Sequence, residues 1–198
     1  MSETVITYHE AMSRWDPDAK GRLGDAARQL FVEKGFDETT VVDIATRAGL
    51  TERTFFRHFV DKREVLFAGD FLAEQMAASL VDAPLHDAPI DVVARALEDA
   101  SEAITSNPDW SRQRARIVAD HPDLQERELS KMAMLATVLS AGLRERGVSS
   151  STAEIAAEAG VLAFRIGYER WAAGPSSQRL APVVRTVLDE LRDVTAAQ

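Results

Sequence analysis

Residues 41–60 read VVDIATRAGLTERTFFRHFV, and this stretch decides the fold. Ala45 puts a small side chain where two short helices can touch, and Gly49 follows four residues later to suit the positive φ of a tight turn. Ile44, Ala48, Leu50, Phe55 and Phe59 are spaced to pin both helices against a third. That spacing leaves Arg53, Phe56 and Arg57, at i, i+3 and i+4, together on the opposite face of the second helix. A helix built only for packing has little reason to turn two arginines and a phenylalanine toward water. The pattern is a helix-turn-helix with an outward face fit to enter a duplex groove.

Upstream of this stretch, Leu23, Ala26, Ala27, Leu30 and Phe31 recur at helical spacing from about Pro17, and Gly35 suits the turn that ends the run. Thr40 and Asp43 form a Thr-x-x-Asp start for the first helix of the motif, and Thr51 can cap the second. Asp61, with Glu64 three residues on, opens a further helix carrying Leu66, Phe67, Phe71, Met76 and Leu80. Pro84 and Pro89 mark the sharpest break in composition. Beyond it, helices are predicted near 89–106, from Asn107–Pro108, near 122–146, 151–173 and 178–195. No stretch settles into period-two alternation, so the fold is expected to be all-α, with about nine helices.

Composition removes several function classes. Of 198 residues none is cysteine, which excludes disulfides, thiolate metal sites and cysteine nucleophiles. Histidines 9, 58, 86 and 121 are scattered, with no His-Glu-x-x-His pair, nucleophile elbow or phosphate-binding glycine loop. Asp99 and Glu102 read as a solvated carboxylate pair. An enzyme is therefore not expected, and neither is a metal or cofactor. No apolar run approaches the ~20 residues of a membrane span. Residues 1–15 carry Glu3 and Glu10 without a basic-then-apolar order, so no secretory leader is expected, and a cytoplasmic location is. The net charge of −9 opposes nucleic acid as a partner. Residues 47–63 reverse that locally, with Arg47, Arg53, Arg57, Lys62 and Arg63 against Glu52 and Asp61.

The chain resembles the tetracycline-repressor-like (TetR) family of transcriptional regulators. Thr39, Thr40, Val41, Ile44, Ala45, Ala48 and Gly49, followed by Thr54, Phe56, His58, Phe59 and Lys62, match the family pattern, and the likeness covers roughly residues 20–72. Residues 1–16 are expected to form a flexible arm, and the break in composition to end a first module over 17–82. The resemblance implies that this module is a DNA-binding domain built on a three-helix bundle, and that residues 83–198 form a larger helical ligand-binding and dimerisation domain. It implies a repressor released from a palindromic operator by a small-molecule effector, with double-stranded DNA and a second copy of the chain as partners. Thr40, Thr51 and Lys62 would hold phosphates. Glu52, Arg53 and Arg57 would reach base edges, although Glu52 equally suits the helix dipole. His58 would pack at the helix end or approach the DNA. Phe56 stands where relatives commonly carry tyrosine, so its contact would be apolar. Basic residues before the first helix are fewer than in many relatives, with Arg14, Lys20 and Arg22 set among Asp16 and Asp18.

In the larger module, Ala153, Ala156, Gly160, Ala163 and Gly167 give one helix a smooth face for close approach. Leu180, Val183, Val184, Val187, Leu188, Leu191 and Val194 form an apolar stripe on the last. The two can pair with a second copy across a two-fold axis, or bury against their own subunit; the two half-sites such a reader needs favour the dimer. Trp110, Arg114, His121, Phe164, Arg165 and Tyr168 are candidates to line an effector pocket. Arg112, Arg114 and Arg116 alternate along one helix and read as a mixed surface rather than an anion clamp.

Overall fold

The computed structural model describes residues 18–67 and 71–196. The arm expected over residues 1–16 lies outside the described residues. Within them the chain is all-helical, in ten segments: α1 (Ala19–Glu33), α2 (Val41–Arg47), α3 (Glu52–His58), α4 (Lys62–Phe67), α5 (Phe71–Asp82), α6 (Pro89–Ile104), α7 (Pro108–Asp120), α8 (Pro122–Glu145), α9 (Ser150–Ala173) and α10 (Leu180–Ala196). The helix expected to run from Asp61 through Leu80 contributes both α4 and α5, on either side of residues 68–70.

The chain divides into two compact units between Val65 and Leu66. In the smaller unit α1, α2 and α3 pack on one another around Leu23, Ala27, Phe31, Ile44, Ala45, Phe55 and Phe59, each almost wholly buried. Local chemistry sets the ends of α2. Thr40 and Asp43 cap it reciprocally: the Thr40 hydroxyl accepts the Asp43 N–H at 3.1 Å, and the Asp43 carboxylate accepts the Thr40 N–H at 3.0 Å. At the other end Gly49, at φ +67°, lets the Leu50 N–H return to the Ala45 carbonyl at 2.8 Å.

The larger unit is a helical bundle in which α9 packs on α6, α8 and α10. Prolines open α6, α7 and α8, where a missing N–H costs nothing. Helix α5 packs on α6 and α8, so it lies in this unit, whereas composition had set the division after residue 82. The Pro84–Pro89 break is a turn inside the larger unit. The Arg146 guanidinium closes that turn by donating to the carbonyls of Leu80, Ala83 and Pro84.

The smooth face of α9 is turned into its own subunit. A Cβ on Gly160 would run into the Val93 side chain, and one on Gly167 would sit 2.9 Å from Val184 Cγ2 and 3.0 Å from Val184 Cα. Ala156, Ala163, Val184, Val187 and Leu188 are buried in the same core. These seven residues, expected at a dimer interface, lie in the core of their own chain, the other course open to the two helices. Within one chain α9 crosses α6 and α10 closely enough to use up its small residues, and on the stripe of α10 Leu191 keeps partial exposure and Val194 is exposed. What α9 leaves outside is Ile155, 67% exposed, and Leu162, 40% exposed, with Ala159 and Ile166 partly buried along the same line.

Two outcomes follow for stability. The Thr40 N–H and hydroxyl, with Lys34, hold the Asp43 carboxyl down from 3.8 to about 2. A depressed carboxyl stabilises the fold above its unfolded value and loses that contribution as pH falls. Asp43→Ala is expected to lower stability at neutral pH and to flatten the acid limb between 3.8 and about 2 in urea titrations. An unaltered acid slope would show that the cap contributes nothing. Gly160→Ala and Gly167→Ala should each cost about 1–3 kcal/mol through overpacking, which outweighs the ~1 kcal/mol gain in helix propensity. A raised melting temperature in either variant would contradict the close crossing.

Candidate nucleic-acid interface and ligand cavity

Helix α3 has seven residues and room for one buried stripe. Phe55 is fully buried, Phe59 caps the helix almost as deeply, and their rings lie 5.4 Å apart. The helical period then turns Glu52, Arg53, Phe56 and Arg57 outward, Phe56 with more than half its surface exposed. Arg53 and Arg57 have no hydrogen-bond or ion-pair partner among the described residues. The unit's other described arginines are engaged: Arg22 donates to the Ala48 and Gly49 carbonyls, Arg28 pairs with Asp25, Arg47 with Glu33, and Arg63 also has a partner. Arg47 is thus removed from the basic strip.

The remaining candidates divide. Thr40 and Thr51 are exposed N-caps, Thr51 accepting the Thr54 N–H at 3.2 Å. The His58 ring turns inward, with Nε2 buried and without a hydrogen-bond partner among the described residues, so it does not face the groove. Lys62 also differs from expectation. Its ammonium donates to the Phe36, Asp37 and Thr39 carbonyls at 2.7–2.9 Å and sits 4.6 Å above the Phe36 ring. Burial pulls its pKa below the usual lysine value. This cation ties α4 to the α1–α2 connection, and no donor remains for a phosphate.

The larger unit encloses two adjoining chambers. The inner one, of about 210 Å³, is lined by Leu66, Phe67, Leu72, Ile104 and Trp110, among others. The outer one, of about 620 Å³, is lined by Arg116, Val118, Gln125, Leu129, Arg165 and Glu169, among others. Arg114, Glu128, Met132, Phe164 and Tyr168 line both. Of the sequence candidates, the structure brings Trp110, Arg114, Phe164 and Tyr168 together around the inner chamber and Arg165 to the outer. His121 caps α7 instead, its Nδ1 2.7 Å from the Ile117 carbonyl. Glu128 and Met132 were missed because nothing in α8 marks which turn meets α7.

Between the chambers the Arg114 guanidinium meets the Glu128 carboxylate through two contacts, 2.5 and 3.2 Å, and donates Nε–H to the Leu66 carbonyl at 2.8 Å. It lies 4.9 Å over the Phe67 ring. Burial works against its charge, but Glu128 and Tyr168 outweigh burial and hold its pKa raised. Burial pushes the Tyr168 phenol up as well, and its hydroxyl donates to the Ser111 carbonyl at 2.8 Å. The three alternating arginines thus have separate settings. Arg112 is buried, 4.2 Å over the Trp171 ring and bonded to the Pro175 carbonyl, Arg114 divides the cavity, and Arg116 is exposed.

Residues 23–68 match the family model described as bacterial regulatory proteins of the tetR family. Residues 87–196, more than half the chain, match the MftR C-terminal domain. The chain belongs to the TetR family. It is 27% identical over 132 residues to MftR of Mycobacterium tuberculosis, a match covering 66% of each chain. Other curated relatives match over shorter stretches, down to about a quarter of their length. The fold of this TetR-family chain superposes on that of a family member from Syntrophomonas wolfei with a TM-score of 0.68 at 16% identity, covering 91% of this chain and 96% of that one. It superposes on SmeT of Stenotrophomonas maltophilia, in complex with triclosan, with a TM-score of 0.63 at 19% identity, covering 89% and 90%. No described helix is long and apolar enough to cross a membrane.

Lys62→Ala is expected to destabilise the smaller unit by about 1–3 kcal/mol, since three charge-assisted bonds to backbone carbonyls are lost. The salt dependence of any DNA affinity should stay as in the parent. A slope reduced by about one charge, with unaltered thermal unfolding, would return Lys62 to a phosphate.

Proposed function

We infer that this TetR-family regulator binds double-stranded operator DNA as a homodimer and represses transcription until a small molecule occupies the larger unit. The observation that carries the reading is the pair Arg53 and Arg57, exposed and without partners on α3 while the unit's other described arginines are engaged. Unspent guanidinium groups on one face of a short helix fit guanine edges in the major groove, with Phe56 against a thymine methyl or a sugar. Glu52, beside them, suits cytosine or the dipole of α3. The exposed caps Thr40 and Thr51 fit the flanking backbone.

Two readers must meet two half-sites about 34–36 Å apart, or a larger spacing set by the helical repeat. The outer line of α9, through Ile155, Ala159, Leu162 and Ile166, offers an apolar surface for pairing. Effector binding in the cavity would favour a geometry in which the readers no longer fit their half-sites. The coupling is reciprocal, so operator DNA weakens the effector by the same factor. The triclosan held by SmeT supports a ligand in a helical unit of this kind. A cytoplasmic location accords with this work.

Footprinting on the DNA flanking its own coding region should show two protected half-sites. Arg53→Ala and Arg57→Ala should each cost ~1–3 kcal/mol of sequence preference, relaxing it at one base pair per half-site. Full affinity and specificity in both variants, or a salt-insensitive monomer without preference among fragments, would overturn the reading.

A further inference from the structure

The charges around the outer chamber do not cancel. Arg114 is matched by Glu128 and Arg165 by Glu169, whereas Arg116, on the same wall, is exposed and has no partner among the described residues. The walls beside it are apolar, with Val118, Leu129, Met132 and Phe164, and Leu129 has 60% of its surface exposed. A wall with one unspent cation and apolar flanks favours a ligand with one negative group on a greasy body. Farther in, Glu128 occupies Arg114 through a two-point contact of the kind a ligand carboxylate makes. Glu128 is then a built-in counterion that an incoming anion can replace.

Resting on the reading of the larger unit as effector-binding, we propose that the cavity selects an organic anion with an apolar body, which Arg116 attracts at the outer chamber and which takes the place of Glu128 on Arg114. The consequence lies in the third bond of the same guanidinium. Arg114 Nε holds the Leu66 carbonyl in the last turn of α4, the helix that continues from Lys62. Exchange of its counterion alters the group that holds this carbonyl.

The test is calorimetric titration of the full chain, without DNA, using decanoate and 2-naphthoate against the uncharged 1-decanol and 2-naphthamide and the cationic decylamine. The anions should bind more tightly than their uncharged and cationic counterparts. Arg116→Gln should weaken the anions and leave the uncharged probes unmoved. Glu128→Gln should tighten them on the order of tenfold, as expected when a competing close charge is removed. Thermal unfolding checks that both variants stay folded, and Arg116→Gln, which breaks no contact, remains decisive if Glu128→Gln does not. Equal binding of uncharged or cationic probes, no binding by any probe, or weaker anion binding in Glu128→Gln would overturn the proposal. None of these results bears on operator binding by the parent protein, measured separately by footprinting, so failure of the anion assignment and failure of the regulatory reading are distinguishable.

Discussion

Phe55 and Phe59 anchor a helix only two turns long, and the reading face depends on that anchorage. Their burial fixes the rotation of α3 about its axis, and the rotation turns Arg53, Phe56 and Arg57 outward. A rotation of one residue, about 100°, would hide an arginine and expose a core phenylalanine. The T-shaped contact of Phe55 with Phe56, at 5.5 Å, continues the anchored ring into the exposed one, so the surface phenylalanine is held from within.

Within each unit, cations hold carbonyls. Arg22 closes the end of α2, Lys62 the connection after α1, Arg146 the turn after α5, and Arg112 the turn after α9. Unsatisfied carbonyls at helix ends carry partial negative charge, and one guanidinium or ammonium laid against them satisfies two or three at once. The device explains how a chain of net charge −9 can still present a positive face. Most of its cations are bound to the fold, and a few are left unspent where a polyanion would approach. Local charge decides recognition, and the number of phosphates those cations neutralise sets its sensitivity to salt.

In the larger unit the small residues of α9 give it a central position. Gly160 admits the Val93 side chain of α6 and Gly167 the Val184 backbone of α10, and the outer sides of α6 and the α10 segment are linked by Arg179–Glu102, Arg185–Glu98 and Arg192–Asp91. Exposed pairs of this kind contribute little stability individually, so the apolar crossing sets the arrangement. The cavity opens beyond it, where α7 and α8 face α9 through longer side chains and one ion pair.

The helices, the caps at Thr40 and Thr51, the turn at Gly49 and the outward arginines are set by neighbours within about four residues, and sequence alone determined them. The same short-range logic offered Trp110, Arg114, Phe164 and Tyr168 for a pocket, but the turn of α8 that closes it, with Glu128 and Met132, followed only from packing. Partners distant along the chain were decided only by tertiary structure. A lysine reads as a free charge until the carbonyls of Phe36, Asp37 and Thr39 close on it from some twenty-five positions away. A stripe of alanine and glycine reads the same whether another subunit or its own α6 lies opposite, because periodicity shows which face is smooth and not what covers it.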